Sequence, residues 1–414
     1  MTTPRIALVS LLCTLLFSSC SCSSKGRTDE DADAAAEPQE EPEPAFDVVE
    51  EDPAAPEVPG EPVSDPVEEV EDTVDAEDAA EEEPEAIAGC IEGTFQPYWG
   101  NFHAHTSHSD GAGTPAEAFA YARDAAGLDI MAVTDHLEQL YLPTDRWNRC
   151  RSAADAANSD GSYVAICGYE YGSAFILPWF WSTGHNNVFF VDYLMPEIQL
   201  DFRDFYTSLN GSPDGIGQFN HPGDESRQNW NDFEYFILTD MKMNLFELSG
   251  GGSDEWDMLF QALDAGWHVS PMHNQDNHSA DWGTDDDTRS GFYMTALTRG
   301  DLHDAMRERR SFMTMDLNAS LHMMAETTCW MGSILRGITS VSLEVAAEDA
   351  DTGDGFTTIE IYGPGGALLD SHDCAGADSC TAPFTLDPAP AYVLPRATQT
   401  DGDWLSAAPV WVRP

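Results

Sequence analysis

The chain is 414 residues long and carries 74 acidic against 18 basic side chains, a formal charge of −56 at neutral pH. Of the acids, 26 lie between Asp29 and Glu85, which leaves 48 acids against 15 bases from residue 86 onward. Charge of that sign and size repels polyanions at long range and excludes nucleic acid as a main partner.

At the N-terminus, Arg5 precedes an apolar run from Ile6 to Phe17, followed by Ser18-Ser19-Cys20. The run is too short to span a bilayer comfortably, so residues 1–19 read as a signal peptide of the lipoprotein type. Cys20 is then the lipidated residue and the link to a membrane, with simple secretion as the alternative. The expected location is the cell envelope, at the outer membrane or the periplasmic face. Residues 20–88 hold a tract of Glu, Asp, Pro and Ala with no basic residue after Arg27. Its few apolar residues cannot form a core and its like charges repel, which predicts a disordered, extended stalk.

The next segment, residues 89–337, opens on the densest chemistry in the chain. Tyr98-Trp-Gly reads as a strand, and Asn101-Phe-His-Ala-His-Thr-Ser-His-Ser-Asp-Gly111 follows it. On an extended strand end, His103 and His105 fall on the same face and reach one ion, with Asp110 available beyond a short turn. Thr114-Pro-Ala-Glu117 is a capping box with proline at the first helical position, and the helix it starts stops at Gly127. Leu128 to His136 is an apolar run closing in Asp135-His136, and Tyr163 to Glu170 closes in a glutamate. His185 opens the run to Val191, and Gly217-Gln-Phe-Asn-His-Pro222 ends in His221. Asn244-Leu-Phe-Glu-Leu248 and Val269 to His278 follow, the latter containing His273 and Asp276. Helical spacing recurs over Asp254–Leu263 and Leu302–Arg310. Short apolar runs that end again and again in His, Asp or Glu suit parallel strands that deliver ligands to the C-terminal mouth of an α/β barrel.

From about residue 338 the texture changes. Val341–Val345, Thr357–Tyr362, Ala391–Leu394 and Ala408–Val412 are short, partly alternating strands between Gly, Asp and Pro turns. Residues 338–414 therefore read as a small antiparallel β module. Beyond Cys13, Cys20 and Cys22, six cysteines remain. Cys374 and Cys380 flank a turn-rich loop and suit a disulfide. Cys90, Cys150, Cys167 and Cys329 allow two more, of a connectivity that spacing leaves open.

In this order the motifs resemble the PHP (polymerase and histidinol phosphatase) metallohydrolases, in the branch of carbaryl hydrolase-like enzymes, over roughly residues 95–335. His-Ala-His with Ser-Asp-Gly, Thr-Asp-His136, Glu170, His185 with His221, and Asp276-Asn-His278 carry the resemblance. It implies an α/β fold built on a distorted (β/α)7 TIM-like barrel with the β module at its C-terminus. It also implies two or three divalent ions, of Zn, Mn or Fe. His103, His105, Glu170 and Asp276 would hold the first, with Glu170 bridging to a second on His185 and His221. Asp110, His136 and His278 would hold the third. Glu170, His185 and His108 are then the candidate catalytic residues, the first two as ligands as well. His108 either faces substrate, lies behind a ligand or is merely exposed. Asp135 either orients an imidazole or caps a loop, and Glu247 either supports a ligand or is a solvated carboxylate.

A hydroxide bridging two such ions attacks an ester without a dedicated side-chain base. The resemblance favours a small phosphoester. The ligands alone equally admit a carboxyl ester or a carbamate, and a non-catalytic surface binder is the remaining alternative. Substrate choice would rest on residues 138–160, 172–183 and 201–216, including Trp179, Phe180 and Trp181, with Arg227 and Arg289 as cations for an anionic group. No protein partner is implied.

Overall fold

A computed structural model describes residues 89–172, 184–196, 202–223, 229–248 and 253–413. The segments expected to be a signal peptide and an acidic stalk, with Cys20, Trp179, Phe180, Trp181 and Arg227, lie outside these residues. No helix among the described residues is long and apolar enough to cross a membrane.

The architecture is mixed α/β, rich in strands. Strands β1 (Gln96–Asn101), β2 (Ile130–Val133) and β3 (Val164–Cys167) run parallel, with Gly100 opposite Ile130 and Met131 opposite Ala165. The chain passes Gly168 into β4 (Tyr169–Gly172), which starts a second sheet in the order β4, β5 (His185–Phe189), β6 (Ile216–Asn220), β7 (Met243–Glu247) and β8 (Ser270–Met272). Strands β6, β7 and β8 are parallel to each other, but β5 is antiparallel to both of its neighbours. On the far side of β1, β9 (Arg289–Met294) and β10 (Ser311–Thr314) add antiparallel strands.

This differs from the expected ring of parallel strands. Among the described residues no continuous ladder closes a barrel; the two sheets meet through the isolated bridges Ala104–Asn277 and His136–Glu170. Both bridges sit where the segments rich in His, Asp and Glu meet their strands. The reversed direction of β5 has a simple cause. Its histidine comes first, so only a strand running the opposite way presents His185 at the rim where its neighbours end.

Between the sheets, Phe102, Ile130, Val164, Phe189, Ile216, Leu245, Met272 and Phe292 form a buried floor. Phe102 packs edge-on against Phe292 at 5.0 Å and Phe189 at 6.3 Å. Burial of each such side chain contributes about 1.5–3 kcal/mol. The helix Pro115–Asp124 starts as expected, with Thr114 Oγ1 accepting from the Glu117 N–H and Glu117 Oε2 accepting from the Thr114 N–H.

The C-terminal strands do not stand apart from the sheet of β1. That sheet continues from β10 to β19 (Trp404–Ala407), β18 (Tyr392–Gln399), β20 (Val410–Arg413) and β13 (Ile334–Arg336). A hairpin of β15 (Phe356–Gly363) and β16 (Ala367–Ala377) pairs with β18. A separate antiparallel sheet has the order β12 (Cys329–Trp330), β11 (Ser320–Ala325), β14 (Val341–Glu348) and β17 (Ser379–Leu386). Three disulfides are present, Cys90–Cys329, Cys150–Cys167 and Cys374–Cys380. At the start of the described chain the Ile91 N–H donates to Ser333 Oγ at 2.9 Å, and the Trp330 N–H donates to the Ile91 carbonyl at 2.8 Å.

A buried polar pair fastens β8 to the C-terminus. Asp240 accepts from the His268 backbone N–H at 2.8 Å and from His268 Nδ1 at 2.6 Å, and Arg413 Nη2 reaches His268 Nε2 at 3.0 Å. Burial disfavours a charge on either group. For Asp240 the hydrogen bond from His268 and the nearby Arg309 outweigh it and hold the carboxyl below its ordinary value, whereas His268 is held neutral. A depressed carboxyl stabilises the fold above its unfolded pKa, and that stabilisation is lost as pH falls through the folded one. Asp240→Asn is therefore expected to cost about 3 kcal/mol at neutral pH, because it strands the buried Arg309 charge. Urea denaturation should show the gap to wild type closing below about pH 4; a gap that stays constant into acid would contradict this role.

Candidate metal centre

The site forms where β1, β2, β4, β6 and β8 end and β5 begins. Just past β1, Phe102 turns into the floor and His103 and His105 turn to the other side, both fully buried. The His105 N–H donates to the Asn277 carbonyl at 2.8 Å, which locks this strand end to the segment after β8. Gly111 lies against the same turn: a Cβ there would fall 2.6 Å from the His105 carbonyl carbon, so the Ser-Asp-Gly sequence needs its glycine.

Hydrogen bonds on the outer nitrogens fix the imidazoles. His103 Nδ1 lies 3.0 and 3.1 Å from the two oxygens of Glu247, an acceptor, so Nδ1 carries a proton, and in the neutral imidazole Nε2 presents its lone pair. His105 Nδ1 lies 3.2 Å from Ser109 Oγ, whose own proton goes to Asp135 Oδ1 at 2.6 Å. The serine therefore accepts from Nδ1, and His105 likewise turns an unprotonated Nε2 inward. These two Nε2 atoms are 3.3 Å apart, and Asp276 Oδ1 lies 3.1 Å from one and 3.0 Å from the other. Asp276 Oδ1 is buried and makes no hydrogen bond. Two imidazole nitrogens and a carboxylate oxygen thus converge on one point, an arrangement that a divalent cation satisfies when the imidazoles are neutral.

Glu170, fully buried at the second residue of β4, occupies the middle. Its Oε1 lies 2.8 Å from His185 Nδ1, 3.2 Å from His221 Nε2 and 3.1 Å from Asn220 Nδ2, while Oε2 lies 2.9 Å from His136 Nδ1 and 3.5 Å from His105 Nε2. On the outer side, Asp110 Oδ1 lies 3.3 Å from His278 Nε2 and 3.6 Å from His136 Nε2. Three groups have ligand atoms within 4.8 Å of one another: His103, His105 and Asp276; Glu170, His185 and His221; and Asp110, His136 and His278 with His105. The nine residues singled out from the sequence are therefore all in one place. His221 and Asp276 have backbone φ of 30° and 45°, the left-handed region that non-glycine residues rarely occupy, so the surrounding structure holds these two side chains against local preference.

The electrostatics reflect a surplus of donors. Burial opposes charge throughout, yet His185, His103 and His136 hold the Glu170 carboxyl well below its ordinary range. In return Glu170 and Asp110 push His136 up to about 11 against its own burial. Without a cation, charge balance falls to the imidazoles.

Several residues resolve differently from their simplest reading. Glu247 is fully buried, not solvated; besides His103 it accepts from the His221 N–H at 2.9 Å and from Asn274 Nδ2 at 3.1 Å. Asp135 accepts from the Thr106 N–H and Oγ1, each at 2.7 Å, so it braces the 105–110 turn and reaches His105 through Ser109. His108 is buried outside the three groups, with its carbonyl accepting from Arg146 and its Nδ1 without a partner. His273 is buried and belongs to none of the groups. Arg289 is not an open cation for an anionic group: it is buried and donates to the carbonyls of Gly283, Asp286 and Thr288. Asn220 and Asn274 had gone unnoticed. Their signal was present in Gln218-Phe-Asn220 and His273-Asn274, where polar residues occupy buried strand-end positions.

No family model matches the sequence, and no curated protein matches it. Among solved structures, the chain is similar to a two-domain Bacteroides vulgatus protein containing a predicted PHP-like metal-dependent phosphoesterase. Identity is 17%, coverage is 76% of this chain and 94% of that one, and the TM-score is 0.43. A lesion-specific endonuclease from Pyrococcus furiosus is similar at 14% identity over 51% of this chain and 56% of that one, with a TM-score of 0.36.

Proposed function

We propose that the chain is a metal-dependent hydrolase of the PHP type that cleaves small phosphoesters. The observation that carries the reading is the facing of His103 Nε2, His105 Nε2 and Asp276 Oδ1, with both imidazole protons committed to Glu247 and Ser109 on the far side. These residues fit a divalent ion better than they fit each other. His103, His105, Asp276 and Glu170 would hold one ion, Glu170, His185 and His221 a second, and Asp110, His136 and His278 a third. Divalent ions so held supply Lewis-acid stabilisation of an ester's oxygens and a water of lowered pKa.

The protein's own part is positional. Glu247 and the Ser109–Asp135 pair hold the two innermost imidazoles in one tautomer, and Glu170 offers one oxygen to each flank of the site. Asp110 and His278 are partly exposed, whereas His103, His105 and Glu170 are fully buried. Substrate therefore approaches over Asp110 and His278, and the floor of Phe102 and its neighbours keeps water from the rear. The strongly negative chain selects a small ester over a polyanion.

The purified protein, stripped with a chelator and reconstituted with Mn or Zn, is expected to release p-nitrophenol from p-nitrophenyl phosphate or its diester only when metal is restored. Turnover of p-nitrophenyl acetate alone would move the assignment to a carboxyl ester or carbamate hydrolase. Absence of turnover with any metal would leave a binding protein.

A further inference from the structure

The helix Arg146–Ala157 opens in a way that local preference does not explain. Its first residue is a cation, set unfavourably at the positive end of the helix dipole. Asp145 before it makes no capping hydrogen bond with its side chain, and its carboxylate pairs with Arg149 at 2.7 Å instead. Among the described residues Arg146 forms no ion pair, although the chain is strongly acidic and the residue is half-buried.

Its guanidinium serves two carbonyls. Arg146 Nη1 donates to the His108 carbonyl at 3.0 Å and to the Gln139 carbonyl at 2.9 Å. The first belongs to the turn between His105 and Asp110, two residues before the aspartate. The second belongs to the short helix Leu137–Leu140, which directly follows His136. One nitrogen thus spans the two segments that bring Asp110 and His136 into the outer group, where Asp110 Oδ1 lies 3.6 Å from His136 Nε2.

The helix that carries this arm is fixed to the chain leading into Glu170. Cys150 is bonded to Cys167, three residues before the glutamate, and Trp147 packs edge-on against Tyr169, its neighbour in sequence, at 5.7 Å. Arg146 therefore refers the positions of Asp110 and His136 to the same frame that holds Glu170.

We propose that Arg146 is a positioning residue for the outermost cation, the one that Asp110, His136 and His278 would hold; the inference rests on the metal-centre reading above. Its action is selective. Glu247 and Ser109 set the two innermost imidazoles, and Glu170 stands on its own strand, so none of these depends on the guanidinium. Asp110 and His136 come from separate segments, and without their shared donor the gap between their ligand atoms is free to widen. The outer ion then loses affinity while the inner ions keep their ligands.

The test is equilibrium dialysis of chelator-stripped protein against rising Mn, with bound metal counted per chain, for wild type, Asp110→Asn, Arg146→Met and Arg146→Lys. Asp110→Asn identifies the outer ion as the binding step it weakens. Arg146→Met should weaken that same step roughly 10–100-fold and leave the other steps unchanged. Arg146→Lys, which keeps a charged donor, should recover most of the loss. The proposal is overturned if Arg146→Met leaves that step unchanged, if it weakens every step alike, as a general loss of fold would, or if Arg146→Lys recovers nothing. Wild type that binds no metal overturns the metal-centre reading and the proposal with it. Wild type that binds metal with no step sensitive to Asp110→Asn overturns the proposal alone.

Discussion

Glu170→Gln is expected to lower metal-dependent hydrolysis by roughly 10³-fold, about 4 kcal/mol of barrier, and to leave purified protein short of metal by elemental analysis. The substitution keeps the shape of the side chain and removes the one carboxylate that touches both flanks of the site. Its oxygens reach His185, His221 and Asn220 on one side and His136 and His105 on the other. An amide would replace one of the two carboxylate oxygens that these imidazoles share with an NH2 group, removing an acceptor and the negative charge. The carboxylate also supports the charge of His136, held up to about 11 against burial, so the metal-free variant should bind fewer protons near neutral pH. Circular dichroism will tell loss of function from loss of fold. Activity within tenfold of wild type in a folded, metal-replete variant would remove Glu170 from the bridging position.

The second large effect is expected at a residue that touches no ion. Glu247→Gln should weaken metal binding by roughly 10–100-fold, the usual consequence of removing the acceptor behind a ligating histidine. With an amide in place of the carboxylate, one oxygen remains where two faced His103, the His221 N–H and the Asn274 amide, so the His103 tautomer and the left-handed backbone of His221 are less firmly held. The signature is specific. Excess metal should restore turnover to Glu247→Gln but not to Glu170→Gln, because the first loses orientation and the second a ligand. Metal titrations followed by activity distinguish the two, and a Glu247 variant with unchanged metal affinity would show that Gln218 and Asn274 suffice to place His103.

Much of the site was legible because its chemistry is written in adjacent residues at strand ends. His-Ala-His, Thr-Asp-His136 and Asp276-Asn-His278 each announce themselves, and His185, His221 and Glu170 terminate or open apolar runs. The tautomer-setting contacts were not legible. Glu247 lies 144 residues from His103, and only the fold brings them together. Strand direction escaped for a related reason: an apolar run such as Val188–Val191 looks the same whichever way it runs, and β9 and β10 carry no candidate ligands to mark their ends. In the C-terminal part, β14 alternates buried and exposed residues and was readable, whereas β16 exposes ten of its eleven residues and gives no pattern. Disulfide connectivity is likewise a matter of distant approach: Cys90 meets Cys329 across 239 residues.

That last bond has a mechanical meaning. Immediately after Gly89 the chain is fastened to β12 by Cys90–Cys329 and by the Trp330 to Ile91 hydrogen bond, and to Ser333 by the Ile91 N–H. Any load on the preceding segment would meet the covalent link into the β11–β12–β14 sheet before it reached β1. Strand β1, which begins only at Gln96 and ends in the histidines, is downstream of this anchor. The chain has a strain relief between its leading segment and its most exacting geometry.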